Sequence, residues 1–288
     1  MSSRDAGEGL SEHRIRLSDG RSMRYVTGGD SGPLVVFECG GGDAAGIWVA
    51  VQELVSKTSR TLAYDRAGLG GSDPSRAPRT LENLTSDALQ LLDSLGIDEP
   101  AVFVGHSWGG NIIRLLAARA PERVKALMYV DPTLSAVFDG PSLRPVRVMH
   151  WWWHLQVLLG GRSRLLRRFR DGRWPRYTER QFDIALQDHW TSADLRTTSR
   201  ELKHIRESRP LIMQLEAKPD PMPVRYLIGL RGDQQVRSVM LDAATRLAAL
   251  APSGSCVGIE DTGHSIGQER PLRTADEVQQ FVAEVTVR

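Results

Sequence analysis

The chain has 288 residues, is 41% hydrophobic and 25% charged, and carries a formal net charge of +2. Such a chain is long enough for one large core with an insertion, or for two domains. No stretch approaches the roughly 20 apolar residues needed to cross a bilayer, and Met1 to Gly9 is polar with no apolar signal segment. A cytoplasmic location without stable membrane association is therefore expected.

Short β-type runs alternate with helical patterns, as in a parallel sheet built from crossover units. Arg14–Leu17 and Met23–Thr27, joined by Ser18-Asp19-Gly20, predict an opening hairpin. Buried strands follow at Leu34–Glu38, Thr61–Tyr64, Ala101–Gly105, Lys125–Val130, Val224–Gly229 and Ser255–Glu260. The clearest helix starts at Thr80 as N-cap, spaces Leu84, Ala88, Leu91, Leu92 and Leu95 helically, and stops at Gly96. Another begins at Pro271, with Val278, Phe281 and Val282 on one face.

The alternation breaks between Asp131-Pro132 and the proline cluster at Pro219, Pro221 and Pro223. From Thr133 to Pro223 there are 16 Lys+Arg against 10 Asp+Glu, net +6, while the rest has 21 against 25, net −4. The expected organisation is a core of residues 1–132 and 223–288 with a helical cap, 133–222, inserted in it.

Between the run Ala101–Val104 and a helical stretch from Asn111 lies Gly105-His106-Ser107-Trp108-Gly109, a G-x-S-x-G pattern. A serine on such a strand-to-helix turn is lifted out of the backbone, and the first helical amides favour negative charge nearby. Its hydroxyl needs a base that is itself oriented by a third group. His264 follows the last strand in Asp261-Thr262-Gly263-His264 and is the expected base. Asp233 follows Val224–Gly229, so Ser107, Asp233 and His264 stand in the order expected of a hydrolase sheet. Asp131, at the end of the preceding strand, is the rival acid; its other role is a turn or N-cap. The oxyanion of acyl transfer needs two N–H donors. Trp108 supplies one, and Gly41 in Cys39-Gly40-Gly41-Gly42 the other, with the register inside Gly40–Gly42 open.

On Gly105–Gly110, on Tyr64-Asp65-Arg66-Ala67-Gly68-Leu69-Gly70-Gly71-Ser72, on the helix at Trp48 and on Gly263-His264, the chain resembles the α/β-hydrolase fold superfamily in its capped serine-hydrolase branch. The resemblance implies an α/β architecture: a mostly parallel eight-stranded sheet flanked by helices, with a helical cap. It departs from the family pattern where Cys39-Gly40 replaces a frequent His-Gly, and where Gly229-Leu230-Arg231-Gly232-Asp233 has one residue more than the common G-x-x-D spacing. The Asp65-Arg66 pair reads as structural support for neighbouring loops.

Cys39 and Cys256 close apolar runs and read as buried thiols. Without Cys/His clusters at ligand spacing, no metal and no cofactor are expected. Trp151, Trp152 and Trp153 supply apolar area that could roof an acyl pocket or pack the cap on the sheet. Arg144 to Arg176 holds nine arginines and one acid, Asp171: a solvated helix face, or a field that attracts anionic substrates. No recognition motif accompanies it, so nucleic acid is not an expected partner. The expected activity is carboxylic ester hydrolysis of a small or medium-sized, partly apolar substrate. A lactonase or thioesterase, a proline-iminopeptidase-like amidase, a C–C bond hydrolase, a perhydrolase or a triad-retaining ligand receptor are the alternatives.

Overall fold

In the computed structural model the described residues are 6–139, 155, 177–187 and 191–287. Eight strands, β1 (Leu10–Arg16), β2 (Ser22–Gly28), β3 (Leu34–Glu38), β4 (Arg60–Tyr64), β5 (Ala101–His106), β6 (Val124–Val130), β7 (Val224–Gly229) and β8 (Gly254–Ile259), form one sheet in the order β1-β2-β4-β3-β5-β6-β7-β8. β1 and β2 pair antiparallel and β2 joins β4 antiparallel; β4, β3, β5, β6, β7 and β8 run parallel. The opening hairpin is longer than expected, since pairing reaches back to Leu10 opposite Gly28. Ser11, Glu12 and His13 hide that strand from a hydrophobic reading, and such polar residues are what a sheet edge carries against intermolecular pairing.

Strands β3 to β7 are buried on both faces, which their near-continuous apolar runs require, whereas β8, at the edge of the sheet, is only partly buried. Alternate residues feed two cores. Val36, Phe103, Leu127 and Tyr226 meet helices α2 (Leu81–Ser94), α3 (Trp108–Arg119) and α7 (Gln234–Leu250). Val35, Phe37, Val104 and Met128 meet α1 (Val49–Val55) and α9 (Pro271–Thr286) on the other face. Thr80 caps α2 as expected, its hydroxyl accepting from the Asn83 amide at 3.3 Å.

Between β6 and β7 the described residues include α4 (Glu179–Leu186), α5 (Ser192–Glu207) and α6 (Arg209–Glu216). α5 starts at a reciprocal cap in which Thr191 and Asp194 bond each other's amides. Its residues Thr197, Glu201 and Ile205 recur at helical spacing and are all buried. That stripe lies across the loops after β3 and β4: a Cβ built on Gly42 would stand 2.5 Å from Thr198, and one on Gly68 2.8 Å from Thr197. Among the described residues, no helix is long and apolar enough to cross a membrane. Trp151, Trp152, Trp153 and nearly all of the arginine-rich run lie outside the described residues.

Candidate active site

The parallel strands deliver their carboxyl ends to one edge of the sheet, where open α/β sheets place their ligands. At the end of β5, Ser107 has φ 52° and ψ −118°. A side chain at Gly105 would come within 2.8 Å of the Gly109 carbonyl, and one at Gly109 within 2.5 Å of the Cys39 carbonyl. The two glycines thus let the start of α3 close onto both β5 and the loop after β3, which fixes the turn that carries Ser107.

His264 stands in the loop between β8 and α8 (Ile266–Glu269). Its Nε2 lies 2.9 Å from Ser107 Oγ and its Nδ1 2.5 Å from Asp131 Oδ2. The loop is held from below, where Glu269 accepts from the Gly263 amide (3.0 Å) and the Thr262 hydroxyl (2.8 Å). His106 Nε2 donates to the His264 carbonyl at 2.9 Å, which leaves His106 Nδ1 without a hydrogen (the tautomer follows from the carbonyl acceptor). Burial first, and the nearby His264 second, push His106 down to about 4, so this ring stays neutral.

Asp131, not Asp233, is the carboxylate on His264. Asp233 sits at the start of α7, where its exposed carboxylate accepts from the amides of Gln235 (3.0 Å) and Val236 (3.1 Å). The extra residue in Gly229–Asp233 carries the chain past the strand end before the helix begins, and the carboxylate is used as a cap. Asp131 follows β6 directly with φ 43°; among the described residues it and Ser107 are the two non-glycine residues with positive φ. Besides His264, it accepts from the Gly229 amide at 3.0 Å and from Arg237 at 2.9 and 3.1 Å. Burial opposes its charge, but the His264 bond, the Arg237 charge and the Gly229 amide outweigh burial and hold it below the ordinary carboxylate value. Two signals in the sequence pointed this way: the position of Asp131 at a strand end, and the lengthened spacing before Asp233.

Gly41 and Trp108 are brought together, since a Cβ built on Gly41 would lie 3.7 Å from Trp108 Cβ and 3.6 Å from Ile205 of α5. Trp108 is the first residue of α3, so its amide has no acceptor within the helix. Thr133, which the sequence reading passed over, places its hydroxyl 3.5 Å from Ser107 Oγ. Cys39 is buried, as expected, and Cys256 partly so. Burial, reinforced by the Glu38 carboxylate, raises the Cys39 thiol well above its ordinary value.

Arg66 supports the loop after β3, as expected, but its acids are Glu38 and Glu201, while Asp65 pairs with Arg24; Glu201 was not anticipated. Arg66 Nε and Nη2 donate to Glu201 (3.1 and 3.0 Å), Nη1 to Glu38 and the Cys39 carbonyl (both 2.7 Å), and Nη2 also to the Gly40 carbonyl (2.6 Å). Glu201 in turn accepts from Arg79 (2.7 Å) and from the Gly42 amide (3.0 Å). Burial would raise Glu201, but Arg66 and Arg79 prevail and bring it down to about 2. Glu38 also accepts from the Tyr64 hydroxyl. The trace of this network in the sequence is an acid at a core-facing position of α5. Among the described residues, no group of three or more His, Cys, Asp or Glu side chains is arranged to hold a metal ion.

A family model described as the alpha/beta hydrolase family matches residues 35–277. A curated protein of Hormonema carpetanum, "Probable transporter efuK", is 30% identical over 62% of this chain and 27% of its own length. An AB hydrolase superfamily protein of Gibberella zeae is 34% identical over 34% of this chain and 32% of its own. Both matches therefore span about a third or less of those relatives. Among solved structures, that of Cfl2 from Burkholderia cenocepacia is 22% identical and covers 95% of this chain and 96% of its own, with a TM-score of 0.77.

Proposed function

Because the chain belongs to the alpha/beta hydrolase family, we propose that it is a serine hydrolase that cleaves a carboxylic ester of a small or medium-sized, partly apolar substrate through an acyl-enzyme. The observation that carries this reading is the relay of 2.9 Å from Ser107 to His264 and 2.5 Å from His264 to Asp131. Ser107 Oγ attacks the ester carbonyl while His264 Nε2 takes its proton. Asp131 holds the imidazole with Nδ1 protonated and offsets the positive charge that develops on it. The amides of Gly41 and Trp108 receive the oxyanion, an interaction typically worth a few kcal/mol per donor. His264 then protonates the leaving alcohol; a water attacks the acyl carbonyl while giving a proton to His264, which passes it to Ser107 Oγ as the C–Oγ bond breaks and the acid departs.

Residues 133–222 serve as a cap in this reading, supported by the way α5 sets Ile205 over Gly41. Lactones and thioesters present the same carbonyl to the same constellation. A hydrolysis screen with p-nitrophenyl esters of graded acyl length, lactones and thioesters therefore tests the substrate class. Stoichiometric labelling of Ser107 by an organophosphonate, abolished in Ser107→Ala, tests the chemistry; labelling at another residue overturns the assignment.

A further inference from the structure

The loop after β3 contains three consecutive glycines, Gly40 to Gly42, whose backbone is conformationally permissive, and within the loop the Asp43 amide donates to the Gly40 carbonyl at 3.2 Å. Yet a donor for an oxyanion must be fixed before the charge forms. A peptide unit is planar and trans, so its C=O and the next residue's N–H point in opposite directions. Holding the Gly40 carbonyl therefore fixes the direction of the Gly41 N–H. Arg66 does hold it, at 2.6 Å, and holds the preceding Cys39 carbonyl at 2.7 Å. On the far side of Gly41, the Gly42 amide is pinned to Glu201 at 3.0 Å.

Arg66 is in turn placed by its acids. Its five N–H groups are all committed: two to Glu201, one to Glu38 and two to the loop carbonyls. Arg66 and Glu201 are both fully buried, so each needs the other's charge to remain there. Glu201 belongs to α5, whereas the loop and Arg66 belong to the strand ends of the sheet. The contact therefore joins the helices between β6 and β7 to the backbone beside the nucleophile.

We propose that Glu201 is a positioning residue for the Gly41 oxyanion donor, acting through Arg66 and the Gly42 amide, so that the hole is complete only while α5 is seated on the sheet. This rests on the serine-hydrolase reading above. Gln in place of Glu201 keeps the shape but removes the charge that Arg66 and Arg79 pair with and sets an NH2 group against Arg66, beside either Gly42 or Arg79, which loosens the hold on the loop peptides. Such a misplacement lowers a rate by about tenfold to a hundredfold. Since the oxyanion donor acts mainly on the transition state, kcat carries the loss and KM changes little.

The test uses the full chain with active sites titrated by organophosphonate, so that misfolded protein drops out of kcat. Wild type, Glu201→Gln and Glu201→Asp are compared with Glu277→Gln, which breaks a different buried pair, Arg225–Glu277, on α9. For each, kcat and KM on an activated ester are measured, together with the inhibition constant of an alkyl boronic acid, whose adduct with Ser107 presents a negative oxygen to the hole. The expected result is a parallel loss of kcat and of boronate affinity in Glu201→Gln, a smaller one in Glu201→Asp, and none per titrated site in Glu277→Gln even where its melting temperature drops. If Glu201→Gln cannot be purified folded, the Glu201→Asp comparison decides. Unchanged kcat and boronate affinity per titrated site in the Glu201 variants overturn the inference while the hydrolase reading stands. A wild type with no titratable serine overturns the hydrolase reading itself.

Discussion

Two aspartates follow neighbouring parallel strands at the same edge of the sheet, and they end in opposite situations. Asp131 comes immediately after β6, is fully buried and is held in a left-handed backbone conformation. Asp233 comes four residues after the end of β7, is exposed and starts a helix from an ordinary extended conformation. The strained conformation costs on the order of 1–3 kcal/mol, offset by the Gly229 amide, Arg237 and His264 gathered on one carboxylate. Position at the correct edge, in the correct chain order, does not by itself bring a carboxylate to the imidazole. What does so is a backbone that turns inward at the strand end, together with donors that compensate the charge it buries.

The sharpest way to undo that contrast is to exchange one oxygen for an amide at each site. Asp131→Asn should lower kcat by about 10³- to 10⁴-fold, since the imidazole loses the acceptor that holds its reactive tautomer. Asp233→Asn should leave kcat within about twofold, because asparagine caps helices nearly as well. Steady-state kinetics on one activated ester decide it, and equal losses at the two positions would mean that both carboxylates serve the imidazole.

The sheet and its order of elements were readable because buried parallel strands write continuous apolar runs, such as Val102-Phe103-Val104, and because helices such as α2 carry both a cap and a stripe. The turn that carries Ser107 was readable because it needs small neighbours on both sides. Which aspartate meets His264 was hinted at by the strand-end position of Asp131 and the lengthened spacing before Asp233, but the donors that hold Asp131 are tertiary: Arg237 reaches it from α7, 106 positions away. Glu201 escaped for the same reason, as its partners Arg66 and Arg79 lie more than a hundred positions upstream.

The contrast of buried with solvated groups extends to the two histidines at this edge, His106 and the exposed His264, whose rings are 4.8 Å apart. His106 titrates at about 4 in the fold against an ordinary 6.5. Between these values the unfolded chain binds the extra proton, so the contribution of neutral His106 is full above pH 6.5 and is lost as pH falls towards 4. A shift of that size corresponds to about 3 kcal/mol. Glu201, brought down to about 2 from 4.5, adds a second loss as pH falls from 4.5 towards 2. Urea unfolding at pH 7, 5.5 and 4.5 should show the first decline in wild type and a shallower one in His106→Gln; equal slopes would mean that His106 is not the group responsible.

Arg237 offers a finer probe of Asp131, because it grips the carboxylate without touching Ser107 or His264 through any bond described above. Arg237→Gln should lower the unfolding free energy by about 2 kcal/mol, as expected where a charged hydrogen bond to a buried carboxylate is lost. The loss in kcat should stay within about tenfold, since Gly229 and His264 still hold Asp131. A kinetic loss as large as that of Asp131→Asn would show that the guanidinium, rather than the imidazole contact, sets the acid's position.

The smallest effect belongs to the aspartate outside the relay. Asp233 accepts two amides of the first turn of α7, and those donors have no partner within the helix. Asp233→Ala leaves them to water and removes a negative charge from the positive end of the helix dipole, which together cost about 1 kcal/mol. Because the carboxylate is exposed, water replaces it readily and no buried charge is stranded. Asp233→Ala should therefore lower the urea midpoint slightly and leave kcat, KM and phosphonate labelling unchanged. If kcat instead falls tenfold or more while the midpoint barely moves, Asp233 acts on the chemistry after all, and the sheet edge has two working acids rather than one.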